Sequence, residues 1–315
     1  MKVGITLPQA GQQATRENVI HIAQNAESEG FDSLWVFERL LWPINPQTPY
    51  PATPDGSLPN EYQIILDPLE TLTYVAAKTN KIALGTSVMD ILFHSPVILA
   101  RRFATLDLLS EGRAIAGLGI GWSRDEYEVS GIPFKDRGKR ADEYIQILKR
   151  IWKDDVVEFK GYFYNIPASK IGPKPIQEPH IPLYLGGYSQ RTFARIANYA
   201  NGWICVVRNS LDEVKSDIDK IRKECYKANR DPENIDIAAI LYPDVKQYSY
   251  TNKEKDERSK ERKLLSGSVD EIGMDLQEIK KIGVNHAILN YNRSAISNSI
   301  DDIIDVSKRI SAFIK

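Results

Sequence analysis

Residues 113–122, RAIAGLGIGW, pass from an apolar run into alternating glycines that include Gly119 and Gly121. Such a run is typical of a strand whose end lies close to a neighbouring backbone or to a ligand. The dinucleotide fingerprint G-x-G-x-x-G would need its third glycine where the chain has Trp122 or Arg124. The stretch therefore predicts a buried strand end that is not the phosphate loop of a dinucleotide-binding fold.

Seven further runs of β-favouring residues are spaced along the chain, and helical patterns separate them. These runs are Val3–Leu7, Ser33–Phe37, Lys81–Val88, Pro182–Leu185, Trp203–Val207, Ile235–Leu241 and His286–Asn290. With the strand that ends at Gly119, eight strands alternate with helices, which predicts a TIM (β/α)8 barrel. A doubly wound open sheet is the alternative. We expect one barrel domain over residues 1–315.

Three insertions interrupt the regular pattern. Pro43–Tyr62 follows strand two, Val156–Pro179 is predicted to form a hairpin after strand four, and Tyr242–Arg262 follows strand seven. The loops that follow the strands of a barrel form its active face. We therefore expect the first and third insertions to border the site, together with the glycines at the end of strand four.

The composition excludes several classes of function. The chain has 315 residues, of which 42% are hydrophobic and 26% charged, with a formal net charge of −1. Because the charge is close to zero, no electrostatic case exists for nucleic acid as a partner. The two cysteines, Cys205 and Cys225, form no metal motif or disulfide framework. No signal peptide and no apolar run of ~20 residues is recognisable, so we expect a cytoplasmic protein without a membrane partner.

Common catalytic motifs do not occur. The four histidines, His21, His94, His180 and His286, lie far apart and show no H-x-H or H-E-x-x-H spacing, so metal catalysis is not expected. The sequence has no G-x-S-x-G elbow and no P-loop. His94 follows strand three, where it would either face a ligand or be a satisfied loop histidine.

The stretch GGYSQRT joins strand five to a helix and is a candidate anion site. Gly186 and Gly187 let backbone N–H groups face an anion, Ser189 and Thr192 offer hydroxyl groups, and Arg191 adds charge. The simpler interpretation is a helix cap by Ser189. Because barrels often bind phosphate near their later strands, we predict that this turn holds the polar tail of a phosphorylated cofactor.

Three acidic residues follow strand four on a short predicted helix. They are Asp125, Glu126 and Glu128. Acidic side chains on a short surface helix are usually solvated. We expect the same of these three.

Several stretches together resemble the bacterial-luciferase-like superfamily of flavin- and deazaflavin-dependent oxidoreductases. They are Gly30–Val36, Leu84–Val88, Ser110–Arg113, the glycine-rich end of strand four, Phe134–Glu143, Pro182–Gly187 and Ala200–Trp203. The resemblance covers residues 1–207 and extends more loosely to the end. Within the superfamily, the loop 40–51 resembles the branch that depends on coenzyme F420.

The resemblance implies a TIM barrel with an isoalloxazine-type ring in its mouth, a small organic substrate and a homodimer. In relatives, a cis peptide bond between two non-proline residues after strand three presses on the face of the ring. That bond corresponds to Ser87–Val88. The turn Gly187–Thr192 corresponds to the cofactor phosphate site. Gly119 and Gly121 would then let the end of strand four approach the cofactor.

One departure from the family pattern affects the catalytic assignment. Relatives often carry Asp-His at the end of strand two, where the histidine is a proposed acid or base, whereas this chain has Glu38 and Arg39. Arginine stays protonated and cannot act as a general base, although it could stabilise a ring anion. Proton transfer therefore falls to His94, to Glu38 or to the substrate itself. Glu38, Arg39 and His94 are the catalytic candidates.

The expected function is that of an oxidoreductase in which the protein binds, orients and shields the cofactor. The F420-like loop favours hydride transfer with coenzyme F420 as cofactor. An FMN-dependent monooxygenase that uses dioxygen is the first alternative. A non-catalytic flavin-binding protein is the second, since the strand-two histidine is missing. A phosphosugar-type barrel enzyme without a redox cofactor is the third.

Overall fold

The computed structural model describes residues 1–53, 55–207, 210–245, 262–292, 294 and 299–314. In chain order the strands are β1 (Lys2–Thr6), β2 (Ser33–Val36), β3 (Ala83–Thr86), β4 (Met89–Asp90), β5 (Ala114–Gly119), β6 (Val157–Lys160), β7 (Asn165–Ser169), β8 (Leu183–Gly186), β9 (Gly202–Val206), β10 (Asp236–Leu241), β11 (Asp244–Val245), β12 (Ser266–Gly267) and β13 (His286–Leu289). The helices are α1 (Arg16–Ser28), α2 (Pro68–Ala76), α3 (Pro96–Leu109), α4 (Arg124–Val129), α5 (Arg137–Lys153), α6 (Gln190–Tyr199), α7 (Leu211–Lys227), α8 (Val269–Lys281) and α9 (Ile300–Ser311).

Eight strands form a closed parallel barrel. Around the barrel the order is β1, β2, β3, β5, β8, β9, β10 and β13, and β13 pairs again with β1. The short strand β4 pairs with the end of β5. The predicted TIM barrel is confirmed, and the open doubly wound sheet is wrong, because the β3–β5 and β1–β13 pairings close the ring.

Two large rings fill the barrel interior, and glycines on neighbouring strands make room for them. Trp35 and Tyr184 are both buried. A Cβ atom added at Gly85 would lie 2.4 Å from the Trp35 ring, and one added at Gly202 would lie 2.9 Å from the Tyr184 ring. These two glycines are therefore required by packing around the rings.

The helices begin at clear sequence signals. Thr15 accepts a hydrogen bond from the backbone of Asn18 at the start of α1, and Ser268 forms a capping box with Glu271 at the start of α8. Proline stands in the first turn of α2 and α3. Within the described ranges, no helix is long and apolar enough to cross a membrane.

The insertions differ in where they join the barrel. The strand-two insertion ends in a short 3-10 helix, Asn60–Gln63, that lies beside the loop after β1. The predicted hairpin after strand four exists as β6 and β7, and it lies between α5 and the fifth barrel strand, β8. Most of the strand-seven insertion, residues 246–261, lies outside the described residues.

Candidate functional site

A bulge between β3 and β4 lies at the carboxyl end of the barrel strands. The Ser87–Val88 peptide bond is cis, as the resemblance implied. Ser87 donates its backbone N–H to the carbonyl of Val36, and Val88 accepts the backbone N–H of Glu38 at 3.1 Å. The bulge is therefore tied to the end of β2, where two of the catalytic candidates stand.

The glycines of the opening stretch lie against this bulge. A Cβ atom added at Gly119 would lie 2.6 Å from Asp90 Oδ1 and 2.7 Å from Val88 Cγ2. Gly121 has a φ of +71°, and an added Cβ would lie 2.9 Å from the Phe93 ring. The end of β5 can therefore approach the bulge only because it lacks side chains. The glycines have this packing role whether or not a cofactor is bound.

Three of the predicted cofactor residues meet at the barrel mouth. Val88 belongs to the cluster of side chains that fills the barrel interior. Its Cγ1 would lie 3.3 Å from a Cβ added at Gly186, while its Cγ2 faces Gly119. An apolar side chain thus stands between two strand ends that carry no side chain, which is a surface suited to the face of a planar ring.

The turn that leads into α6 is a helix cap. Ser189 Oγ accepts the backbone N–H of Thr192 at 3.1 Å, and the two hydroxyl groups lie 2.9 Å apart. Gly187 has a φ of +124° and packs against the Thr192 side chain. Arg191 is exposed. The cap interpretation is therefore confirmed, and the anion site at the same turn stays a prediction.

Glu38 and His94 form a hydrogen-bonded pair. His94 Nε2 donates to Glu38 Oε1 at 2.7 Å, and the other carboxylate oxygen accepts the backbone N–H of Asp90 at 2.9 Å. Glu38 is buried, whereas 17% of the His94 side chain is exposed. The carboxylate thus orients the imidazole and leaves Nδ1 as the ring nitrogen that Glu38 does not bind. The structure brings these two candidates together from separate loops.

Arg39 is held in a buried ion pair that the sequence did not predict. Its Nη2 lies 2.6 Å from Glu126 Oε2, and Glu126 Oε1 accepts the backbone N–H of Leu40 at 2.9 Å. The guanidinium also lies over the Trp122 ring at 4.9 Å. Only 6% of the Arg39 side chain and 1% of the Glu126 side chain are exposed. The prediction that Glu126 is solvated is wrong.

A local signal explains why Glu126 was missed. Ser123 caps α4, and Glu126 stands at the third helical position, where the S-x-x-E pattern favours a capping box. Its carboxylate turns instead to Arg39, 87 positions away in sequence. No local pattern shows a contact at that separation.

Asp90 is a third buried carboxyl group beside the same arginine. Its Oδ2 lies 3.9 Å from Arg39 Nη2. Burial raises the pKa of Asp90 to about 7, and the nearby Glu38 and Glu126 add to the effect while Arg39 opposes it. Burial likewise raises the pKa of Glu126, against the attraction of Arg39. We call Glu38, Arg39, Asp90, His94 and Glu126 the acid cluster.

We expect that replacing Glu126 with glutamine lowers the free energy of unfolding by about 3 kcal/mol. The change leaves the buried Arg39 charge without its closest partner, and breaking such pairs typically costs about 3–5 kcal/mol. The low end applies because Asp90 stays nearby. Urea denaturation measures the effect. Glu128→Gln on the exposed side of the same helix is the control and should change stability by less than about 0.5 kcal/mol. Equal values for the two variants would contradict this assignment.

Aromatic side chains cover one side of the mouth. The Phe37 and Tyr62 rings lie 5.1 Å apart, Tyr62 meets Tyr50 at 6.0 Å, and Tyr50 meets Trp122 at 5.4 Å. Edge and tilted contacts of this kind stabilise packing beyond the area they bury. The strand-two insertion is therefore packed onto the ends of β2 and β5.

A cleft of about 590 Å³ lies beside this insertion, at the ends of β9, β10 and β13. Its lining is mixed, with more apolar than polar surface, and comes from Pro51, Ala52, Thr53, Val206, Val207, Tyr242, Pro243, Asp244, Lys263, Leu264, Leu265, Ser266, Asn290 and Ser294. A cleft of this size at the carboxyl face of a barrel can hold a small organic molecule.

His286 and His21 are not part of the mouth. His286 is buried at the opposite end of β13, bonded to Ser33 Oγ at 2.7 Å, and His21 is paired with Asp301 on the surface. Burial lowers the pKa of His286 to about 4. Among the residues that the structure describes, no three His, Cys, Asp or Glu side chains are grouped to hold a metal ion.

A model of the luciferase-like monooxygenase family matches residues 1–285. The chain belongs to this family. The match includes the bulge, the glycine-rich strand end, the acid cluster and the α6 turn. This luciferase-like chain is thus an oxidoreductase or monooxygenase by family, with a closed barrel in which those features share one face.

Two relatives illustrate the range of the family. An uncharacterized protein of Mycobacterium tuberculosis strain H37Rv is 38% identical over 194 residues, which span 61% of this chain and 68% of the relative. The F420-dependent glucose-6-phosphate dehydrogenase of Kineococcus radiotolerans is 30% identical over 207 residues, which span 64% of this chain and 56% of the relative.

Solved structures share the fold. The monooxygenase RslO1 from Streptomyces bottropensis superimposes with a TM-score of 0.80 at 20% identity and covers 100% of this chain and 98% of its own. An F420-dependent secondary alcohol dehydrogenase in complex with an F420–acetone adduct gives a TM-score of 0.77 at 19% identity, with coverage of 100% and 99%. At these identities the likeness concerns the fold.

Proposed function

We propose that this protein is an oxidoreductase that transfers hydride between bound coenzyme F420 and a small organic substrate. The observation that carries the proposal is the mouth surface in which Val88 stands between Gly119 and Gly186. A planar, apolar ring face needs such a surface. Relatives that are named F420-dependent at about 30% identity support the deazaflavin.

The residues present fit a phosphorylated ring cofactor. Val88, Gly119 and Gly186 would support the ring, and Gly121 would let the chain turn away beside it. Gly187, Ser189, Arg191 and Thr192 would hold the phosphate, since the first N–H groups of α6 point outward from a ten-residue helix. When bound, the deazaflavin supplies the hydride chemistry.

His94 is the group that would move the substrate proton. Hydride transfer to or from a carbon bonded to oxygen requires a proton to join or leave that oxygen. His94 Nδ1 would exchange this proton, while Glu38 fixes the ring through Nε2 and stabilises the imidazolium. Arg39 is bound by Glu126 and stays charged. Its role is to balance the negative charge of Glu126 and Asp90 behind the His94–Glu38 pair.

An FMN-dependent monooxygenase is the second candidate function. The family description and the similarity in fold to RslO1 favour it. A flavin reacts with dioxygen and a deazaflavin does so poorly, so the identity of the cofactor separates the two functions. The cleft beside the strand-two insertion would hold the organic substrate in either case.

A side-by-side fluorescence titration of the purified protein with F420 and with FMN tests this proposal. We expect F420 to bind at least tenfold more tightly than FMN, and a tenfold ratio of dissociation constants corresponds to about 1.4 kcal/mol of binding free energy. If FMN binds more tightly and oxygen is taken up only when substrate is present, the protein is a monooxygenase and the hydride-transfer assignment is wrong. If neither cofactor binds, the assignment of the barrel mouth as a cofactor site is refuted.

A further inference from the structure

Three carboxyl groups in the acid cluster share one permanent cation. Glu38, Asp90 and Glu126 are all buried, and Arg39 lies within 4 Å of the last two. If all three carboxyl groups were ionised, the cluster would carry two excess negative charges, reduced to one when His94 is protonated. Charges of this kind are costly to bury without partners. A buried cluster with this composition is therefore more stable when one of its three carboxyl groups is protonated.

Asp90 is the carboxyl group with the weakest partners. Glu126 has Arg39 at 2.6 Å and the Leu40 N–H, and Glu38 has His94 and the Asp90 N–H. Asp90 has Arg39 only at 3.9 Å, together with a backbone hydrogen bond from Gly121. Burial raises the pKa of Asp90 to about 7, so its proton is exchangeable near neutral pH.

The charged and titratable side chains that face Asp90 come from two elements. Glu38 and Arg39 stand at the end of β2, and Glu126 and Tyr127 stand on α4. Beyond Tyr127, the side chains of Arg137 and Arg140 extend from the first turns of α5 and act on the tyrosine. Arg39 is thus the only guanidinium that lies within 4 Å of Asp90 among the described residues.

Asp90 also touches the strand end that the proposed function places against the cofactor. Its Oδ1 would lie 2.6 Å from a Cβ atom added at Gly119, and its Oδ2 would lie 3.4 Å from a Cβ atom added at Gly121. The charge of this carboxyl group therefore acts directly behind the proposed ring surface. A charge there has little water to screen it.

We propose that Asp90 is a positioning residue that holds the exchangeable proton of the acid cluster and thereby sets how strongly the mouth prefers the reduced cofactor over the oxidised one. The inference rests on the proposed function. A hydride added to a deazaflavin or flavin ring would leave its negative charge on the ring unless a proton is also added, so an ionised Asp90 would disfavour this reduced anionic form and a protonated Asp90 would not. The preference for the reduced form should fall as the pH rises through neutrality.

The test compares dissociation constants for oxidised and reduced F420 at pH 6 and pH 8, or for FMN if F420 does not bind. The proteins are the unmodified chain, Asp90→Asn and the exposed control Asp270→Asn. Asparagine has the shape of protonated aspartate and can still accept the Gly121 N–H. We expect Asp90→Asn to match the unmodified protein at pH 6 and to prefer the reduced form about tenfold more strongly at pH 8. Asp270→Asn should show the same preference as the unmodified protein at both pH values.

Two results would overturn the inference. One is an identical preference in Asp90→Asn and the unmodified protein at pH 8, and the other is a difference of equal size at both pH values, which a purely structural role would give. If Asp90→Asn does not fold, infrared titration of the unmodified protein labelled with ¹³C-aspartate replaces it. A protonated aspartate band that disappears near neutral pH supports the inference, and its absence at pH 6 refutes it. Failure of both cofactors to bind refutes the proposed function separately, because the infrared band does not need a cofactor.

Discussion

Replacing His94 with glutamine should lower the turnover number by about 100- to 10,000-fold while the affinity for the cofactor changes by less than about threefold. Glutamine keeps a donor toward Glu38 but cannot exchange a proton near neutral pH. Because His94 reaches the mouth from the loop after β4, its loss should leave the ring surface at Val88 intact. Steady-state kinetics with the reducible or oxidisable substrate, together with a cofactor titration, measure the two quantities.

The matched control is His21→Gln, which changes a surface histidine paired with Asp301 and should leave turnover unaltered. Glu38→Gln should lower turnover less than His94→Gln, and the double variant should be no worse than His94→Gln alone, since the two residues act as a unit. A His94 variant with normal turnover would show that the substrate or another group moves the proton.

Gly119→Ala should weaken cofactor binding by at least tenfold and lower the free energy of unfolding by about 1–3 kcal/mol. The added methyl group would overlap Asp90 Oδ1 and Val88 Cγ2, so the bulge must move away from β5. The contacts of Gly119 indicate that both binding and stability will change.

Urea denaturation and F420 fluorescence titration measure the two effects. Gly138→Ala in α5 is the control, because its added Cβ would lie no closer than 3.7 Å to Arg195 and alanine favours a helix. It should be neutral or stabilising. If Gly119→Ala binds the cofactor as the unmodified protein does, the strand end does not support the ring.

The barrel could be predicted because its signals are local. Each barrel strand is a short β-rich run, and the caps at Thr15, Asp67 and Ser268 mark helix starts within a few residues. The alternation of strands and helices then leaves few ways to bury both faces of the sheet.

The acid cluster could be predicted only in part. Glu38, Arg39 and His94 stand after strands, so their common face follows from the fold. Asp90 lies inside an apolar run, and Glu126 fits a local capping pattern, so neither signals a contact with Arg39. Such contacts depend on the packing of α4 and β4 against the end of β2. The sequence singled out Gly119 and Gly121 as the end of a strand that lies close to a neighbour, but only the structure shows that Val88 and Asp90 are the side chains for which Gly119 makes room.

The most direct test of the central claim is a crystal structure of the protein grown with its tighter-binding cofactor. We predict that one face of the ring lies against Val88, between Gly119 and Gly186, and that the phosphate lies at the turn from Gly187 to Thr192. In that structure His94 should lie beside the open face of the ring. A ring bound elsewhere, or a phosphate held away from the α6 turn, would contradict the account.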